Sequence, residues 1–207
     1  GRPDWGLEPG QKAEDEKGAP FCTMLDTRLA VRLVVAQCCY YAAAAAQAKF
    51  VPPHPDAKSA PPVVGVVGCG QLGTQLLRSL LALGWPPNLL AACSRNEQNF
   101  EKFRKAGVQC TTDAAKLAAW DQGAGGCRCI ILCVPHAQLR GVCTALTGAR
   151  GRGISRTVVV STVAGVHYRK LRQLLPRCPQ IVRTRLDIRA VKERSAFLAA
   201  SDPGPHA

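Results

Sequence analysis

From Val63 onward, short apolar runs alternate with segments in which apolar residues recur at helical spacing. The run Val63 to Val67 is rich in β-branched residues and predicts a buried strand. Leucines at helical spacing then predict an amphipathic helix over Gln71 to Leu83, and Gly84 is a typical helix stop. Alternation of this kind is typical of a parallel sheet whose strands are joined by helices.

The same alternation continues to residue 184. Further strands are predicted at Leu89–Cys93, Val108–Cys110, Cys129–Val134, Thr157–Val160 and, as the start of a sixth, Ile181-Val182. The helices between them are predicted at Glu97–Ala106, Asp113–Trp120 with Thr112 as the N-cap, His136–Leu146 and His167–Leu175. We therefore expect an α/β fold over 63–184, with a doubly wound parallel sheet.

The two flanks lack this rhythm. Within 1–62 we expect a disordered leader, a long helix at 22–50 built on an alanine run, and a proline-rich linker. The apolar composition of that helix motivates the hypothesis that it docks on the sheet, which the sequence leaves open. Residues 185–207 are expected to be a divergent tail, with one helix over Arg185–Ala200 before a disordered end.

The strongest motif follows the first predicted strand directly. Gly68-Cys69-Gly70-Gln71-Leu72-Gly73 has the spacing Gly-x-Gly-x-x-Gly between a strand and a helix, which is the phosphate turn of a dinucleotide-binding Rossmann unit. Gly68 would make the tight turn, Gly70 would let the backbone approach a pyrophosphate, and Gly73 would let the helix pack on the strand. The helix N-terminus would then face the phosphates with free N–H groups.

The end of the second strand bears on the choice of cofactor. NAD-binding folds of this type usually place a carboxylate there, but this chain has Cys93-Ser94-Arg95-Asn96. Ser94 and Asn96 could donate hydrogen bonds to a 2′-phosphate, and Arg95 could add a charge-assisted pair. This favours NADP over NAD. The alternative is a solvated arginine in a surface loop.

Four motifs together resemble the cofactor-binding domain of the pyrroline-5-carboxylate reductase family. They are Gly65 to Gly73, Ser94-Arg95, Ile131 to Pro135 and Val158 to Val166. The resemblance implies hydride transfer between NADPH and a C=N substrate, such as a small imine derived from an amino acid. It also implies that residues 68–72 hold the pyrophosphate and that Val134, Pro135 and Ala164 wall the nicotinamide. His136 follows the proline, where the family usually has a lysine before it, and it is the one ionisable candidate for catalysis; the alternative is an exposed histidine at a helix start.

The resemblance ends after Ile181-Val182-Arg183, where family reductases continue into a helical dimerisation domain. We expect no such domain here, which suggests a truncated or alternatively spliced form and leaves the oligomeric state open. Two alternatives to an oxidoreductase follow. One is a catalytically silent NADP-binding or regulatory protein, and the other is a basic nucleic-acid-binding protein.

Composition weighs on these alternatives. The chain has a net charge of +13, and most of it lies in residues 63–184, which hold sixteen Lys/Arg against four Asp/Glu. A domain with this excess of positive charge attracts anions. With 5% aromatic residues and no RNA-binding motif, specific nucleic-acid binding is not expected. The uncharged run 33–48 is too short for a membrane span. Eleven cysteines, several of them in apolar runs, favour reduced thiols in the cytoplasm. Strand alternation would put Cys127, Cys129 and Cys133 on one buried face, so no metal site is expected.

Overall fold

The computed structural model describes residues 19–47, 63–120, 127–148 and 154–185. The chain divides into two units. One is Val34–Arg185, and the other combines Gly1–Leu33 with Leu186–Ala207. The strands are β1 Val64–Val67, β2 Leu90–Cys93, β3 Gln109–Thr111, β4 Cys129–Leu132, β5 Val158–Ser161 and β6 Gln180–Arg183. The helices are α1 Ala19–Gln47, α2 Gln71–Ala82, α3 Glu101–Lys105, α4 Ala114–Ala118, α5 His136–Gly148 and α6 Tyr168–Leu174.

The six strands form one parallel sheet in the order β3-β2-β1-β4-β5-β6. The chain moves outward from β1 in one direction, then returns to β4 and moves outward in the other. The predicted doubly wound parallel sheet is therefore confirmed. The point of reversal lies between β1 and β4, and in open sheets of this kind ligands bind at the carboxyl ends of the strands beside that point.

One face of the sheet is covered by α4, α5 and α6. A core of buried side chains joins them to the strands and includes Leu117, Leu139 and Leu171, each at most 2% exposed. On the opposite face α2 packs on β1, since a Cβ placed on Gly73 would lie 3.4 Å from the Val66 side chain. Right-handed crossovers produce this separation of the helices.

On the β4 side of that opposite face lies α1, since the Cys38 thiol is close to the thiols of Cys129 and Cys133. The helix buries Val35, Cys38 and Ala42, which share one face at helical spacing. Burial is the main cause that raises the pKa of Cys38, and the nearby thiols of Cys133 and Cys129 raise it further. The Gln37 side-chain amide also donates to the Arg185 carbonyl just beyond β6, at 3.0 Å. The part of α1 within the larger unit is thus docked on the sheet.

Three local predictions were wrong. Asp113, not Thr112, caps α4 by accepting a hydrogen bond from the Ala115 N–H at 2.8 Å. The helix predicted from Glu97 opens as a 3-10 turn, Glu97–Phe100.

The third wrong prediction is that Cys127, Cys129 and Cys133 lie on one buried face of the sheet. Cys127 packs in the core beneath α4, where its thiol donates to the Leu117 carbonyl, whereas Cys129 lies on the α1 side. Regular alternation begins only at Cys129, because the N–H groups of Arg128 and Cys129 both point to the Val63 carbonyl. The predicted leader, linker and tail helix lie outside the described residues, apart from Arg185.

Candidate functional site

The glycine turn lies at the carboxyl end of β1, beside the point where the strand order reverses. Gly68 has φ +98°, and a Cβ on it would collide with the Cys133 carbonyl group at the end of β4. Its N–H donates to the Cys93 carbonyl at 2.7 Å, which ties the turn to the end of β2. A side chain at Gly73 would collide with the Gly68 carbonyl oxygen. The turn is therefore closed from three sides by backbone atoms.

The N-terminus of α2 faces open space above this turn. Gly70 is exposed, and no atom lies within 4 Å of the place where its Cβ would stand. No side chain caps the helix. The N–H groups of the first turn have no partner within a helix, and Thr74 is the first to bond back, to the Gly70 carbonyl at 2.9 Å. Free donors, a positive helix end and open space fit a phosphate group.

Cys69, Gln71 and Leu72 complete the predicted phosphate turn. Gln71 is exposed and Leu72 half-buried, so both lie at the open side. Cys69 is buried, and its thiol lies 3.8 Å from the Cys93 carbonyl. Burial raises the pKa of Cys69 to about 12, with the Cys110, Cys93 and Cys133 thiols adding to the effect. Its thiol therefore stays protonated at neutral pH, and only its backbone is available to a phosphate.

The predicted 2′-phosphate residues form an ordered turn after β2. The Ser94 hydroxyl accepts from the Asn96 N–H at 3.3 Å, and the Asn96 side-chain oxygen accepts from the Gln98 N–H at 3.0 Å. Each bond uses an acceptor, so the Ser94 hydroxyl hydrogen and the Asn96 amide hydrogens remain available as donors. Arg95 is exposed between them. The turn thus presents donors and one positive charge on the same short segment.

Among the described residues, no carboxylate forms an ion pair with Arg95. Glu97 follows the turn, and its carboxylate lies 3.8 Å from the Arg104 guanidinium. Among the residues that the structure describes, neither the Glu97–Arg104 pair nor the Glu101–Lys105 pair includes Arg95. An anion at this turn would therefore meet the charge of Arg95 without first displacing a carboxylate from it.

The residues predicted to wall a nicotinamide lie at the ends of β4 and β5. Val134 is buried in the core, and its side chain would touch a Cβ on Gly68 at 2.9 Å. Pro135 and Ala164 are exposed on the loops that follow the two strands. Because the strands are parallel neighbours, these loops rise from the same edge as the glycine turn. The geometry brings Val134 close to Gly68 and leaves Pro135 and Ala164 at the surface of that edge.

Sequence reasoning missed Thr162, which joins the two strand ends. Its hydroxyl donates to the Leu132 carbonyl at 2.8 Å, and its backbone N–H donates to the same oxygen at 3.1 Å. The contact spans 30 positions, so a pattern of neighbouring residues gives no sign of it.

His136 is exposed at the first residue of α5. It directly follows Pro135, so it lies at the same edge of the sheet as the glycine turn. The described residues include no group of three or more His, Cys, Asp or Glu side chains able to hold a metal ion. No helix in the described ranges has the length and apolarity to cross a membrane.

The fold and the site together define a dinucleotide-binding domain of the Rossmann class. Residues 63–165 match the family described as "NADP oxidoreductase coenzyme F420-dependent". The mouse protein named NADP-dependent oxidoreductase domain-containing protein 1 is 31% identical over 113 residues, which cover 54% of this chain. Residues 63–165 of this chain therefore form a domain that matches the NADP oxidoreductase family.

Two solved structures illustrate the range of similar proteins. The pyrroline-5-carboxylate reductase of Coxiella burnetii is 27% identical, with a TM-score of 0.49 over 58% of this chain and 42% of its own. The imine reductase of Streptomyces aurantiacus is 15% identical, with a TM-score of 0.47 over 58% and 40%. The chain spans 28% of the length of the mouse relative.

Proposed function

We propose that this chain binds NADP(H) and that its domain serves hydride transfer between NADPH and a C=N bond. The uncapped N-terminus of α2 above an open glycine turn carries the proposal. The ordered donor turn at Ser94, Arg95 and Asn96 supports NADP over NAD, since a 2′-phosphate needs donors and positive charge. The match of residues 63–165 to the NADP oxidoreductase family supports the same choice.

Each segment of the site then has a separate task. The backbone of residues 68–72 holds the pyrophosphate with N–H donors, and Ser94, Arg95 and Asn96 hold the 2′-phosphate. Val134, Pro135 and Ala164 orient the nicotinamide ring and shield one side of it from water. When bound, NADPH supplies the hydride. His136 is the candidate for proton transfer, because it is an exposed histidine that directly follows Pro135 at the start of α5.

The substrate proposed is a small cyclic imine. The resemblance of four motifs to pyrroline-5-carboxylate reductases supports this class, and the exposed loops after β4 and β5 leave one side of the proposed nicotinamide position open to a substrate. A silent NADP-binding or regulatory role is the alternative, because hydride transfer also needs a pocket for the imine.

A turnover assay separates the two. The purified chain is incubated with NADPH and a panel of cyclic imines, and the loss of NADPH absorbance is followed. Sustained oxidation that depends on the imine and is reduced in Arg95→Asp supports the oxidoreductase. NADPH binding without turnover for any imine supports the silent alternative and contradicts the proposed hydride transfer by this chain.

A further inference from the structure

Thr162 stands where two loops of the proposed site meet. It follows β5 directly, and both of its donors, the hydroxyl and the backbone N–H, converge on the Leu132 carbonyl at the end of β4. The backbone bond alone would continue the parallel ladder. The hydroxyl adds a second bond that fixes the side-chain torsion and the distance between the two strand ends.

The end of β4 is held on its other side by the glycine turn. The Cys133 N–H donates to the Val67 carbonyl of β1 at 2.7 Å, and the Cys133 carbonyl group lies where a Cβ on Gly68 would stand. The segment from Leu132 to Pro135 therefore lies between the phosphate turn and Thr162. A shift at either neighbour would move Val134 and Pro135.

The loop beyond Thr162 leaves the sheet within two residues. Val163 is still buried, at 5% exposed, whereas Ala164 and Gly165 are exposed, and Gly165 takes φ +74°. Among the described residues, Thr162 is thus the last one after β5 that bonds across to the end of β4 before the exposed turn begins. The position of Ala164 relative to Pro135 depends on how firmly Thr162 is held.

We propose that Thr162 is a positioning residue for the nicotinamide end of the site, because its hydroxyl fixes the loop carrying Ala164 against the strand end carrying Val134 and Pro135. The inference rests on the proposed NADP(H) binding. It concerns the nicotinamide end alone, since the 2′-phosphate turn lies after β2 on the other side of β1.

The chain offers two matched control bonds. Thr157 donates its hydroxyl to the Cys127 carbonyl at 2.7 Å, at the amino end of the same two strands. Thr184 repeats the geometry of Thr162 one strand further out, with its hydroxyl 3.3 Å and its N–H 3.0 Å from the Ser161 carbonyl. Removal of either hydroxyl should affect the sheet without acting on the nicotinamide end.

The test titrates the full chain and its variants with two probes. NADPH carries the nicotinamide, and 2′-phospho-ADP carries the phosphates and adenosine without it. Thr162→Val keeps the shape and the backbone bond. We expect it to weaken NADPH binding by about three- to tenfold, the usual effect of one hydrogen bond, and to leave the affinity for 2′-phospho-ADP within about twofold. Thr162→Ser should restore NADPH binding, and Thr157→Val and Thr184→Val should weaken neither probe selectively.

Other outcomes overturn the inference. If Thr162→Val weakens both probes equally, or if Thr162→Ser is as weak as valine, the hydroxyl has only a structural role. If Thr162→Val does not fold, Thr162→Ala replaces it with the same expectations. Wild-type binding of 2′-phospho-ADP with no gain for NADPH would contradict this inference alone, whereas failure of both probes would contradict the proposed function itself.

Discussion

At the scale of single residues, the three glycines of the phosphate turn differ in physical role. Gly68 is required by its positive φ, Gly73 by a close backbone approach, and Gly70 by neither. Gly70 instead leaves open the space in front of the helix N-terminus. Spacing alone predicted this division, because the geometry of a strand–turn–helix unit is nearly the same wherever it occurs.

Two alanine substitutions separate stability from binding. Gly73→Ala places a Cβ against the Gly68 carbonyl oxygen, so we expect a loss of about 3 kcal/mol in the free energy of unfolding, near the upper end of overpacking costs. Gly70→Ala meets no atom and should cost at most about 1 kcal/mol. Urea denaturation checks both values, and NADPH titration should show weaker binding in Gly70→Ala. Equal stability of the two variants would contradict the assignment.

The roles of Thr162 and Asp113 were not predicted because each depends on an alignment that is exact to one residue. Thr162 bonds to a carbonyl 30 positions away, so its role depends on the register of β5 against β4. The choice between Thr112 and Asp113 as the cap of α4 depends on where the helix begins to within one residue. Both residue types favour caps, and the pattern fixes the helix but not its first turn.

At the scale of elements, the strands could be predicted to within about two residues because most of them are apolar runs between polar turns. The docking of α1 on the sheet could not be predicted from the sequence. Its sequence is uncharged on every side between Arg32 and Lys49, so no polar stripe marks an outer face. The three residues Val35, Cys38 and Ala42 are buried because α4, α5 and α6 pack on the other face of the sheet, whereas α1 lies on the face that carries Cys129 of β4.

The docking of α1 can be tested with one pair of variants. Ala42 is fully buried, so Ala42→Glu would bury a carboxylate against the sheet and should cost roughly 3 kcal/mol or more. Ala36 lies on the exposed side of the same helix, and Ala36→Glu should change stability by less than about 0.5 kcal/mol. Thermal or urea unfolding measures both. Similar small effects would mean that α1 is not docked in solution.

At the scale of the whole molecule, the buried thiols link stability to pH. Burial raises the pKa of Cys127, Cys129 and Cys133 to about 12, and that of Cys93 and Cys143 to about 11, from 9.0. The folded state then holds protons that the unfolded chain releases above pH 9. This contribution to stability is complete below pH 9 and is lost as the pH rises through 11 to 12.

We therefore expect the urea midpoint to be independent of these thiols up to pH 8.5 and to fall steeply between about pH 9 and 12. A reducing agent in every sample excludes disulfide formation as the cause. A midpoint at pH 10.5 equal to that at pH 8 would show that the thiols are not buried as described.

The parallel sheet places all segments of the proposed site at one edge of the molecule. One sheet edge gathers the glycine turn, the Ser94–Asn96 turn and the loops after β4 and β5, because all six strands are parallel. The sequence predicted this gathering, since strand–helix alternation implies parallel strands. It could not predict which side chains hold the loops in place, because those contacts depend on the packing of distant segments.

The proposed NADP(H) site at this edge of the sheet depends on the N-terminus of α2 and on Arg95. The most direct test is a titration of the purified chain with NADPH and NADH side by side, by calorimetry or cofactor fluorescence. We expect NADPH to bind at least about tenfold tighter than NADH, Arg95→Asp to abolish the difference, and Arg140→Asp, at an exposed position of α5, to preserve it. Equal affinity for the two cofactors, or binding of neither, would contradict the proposed NADP(H) site.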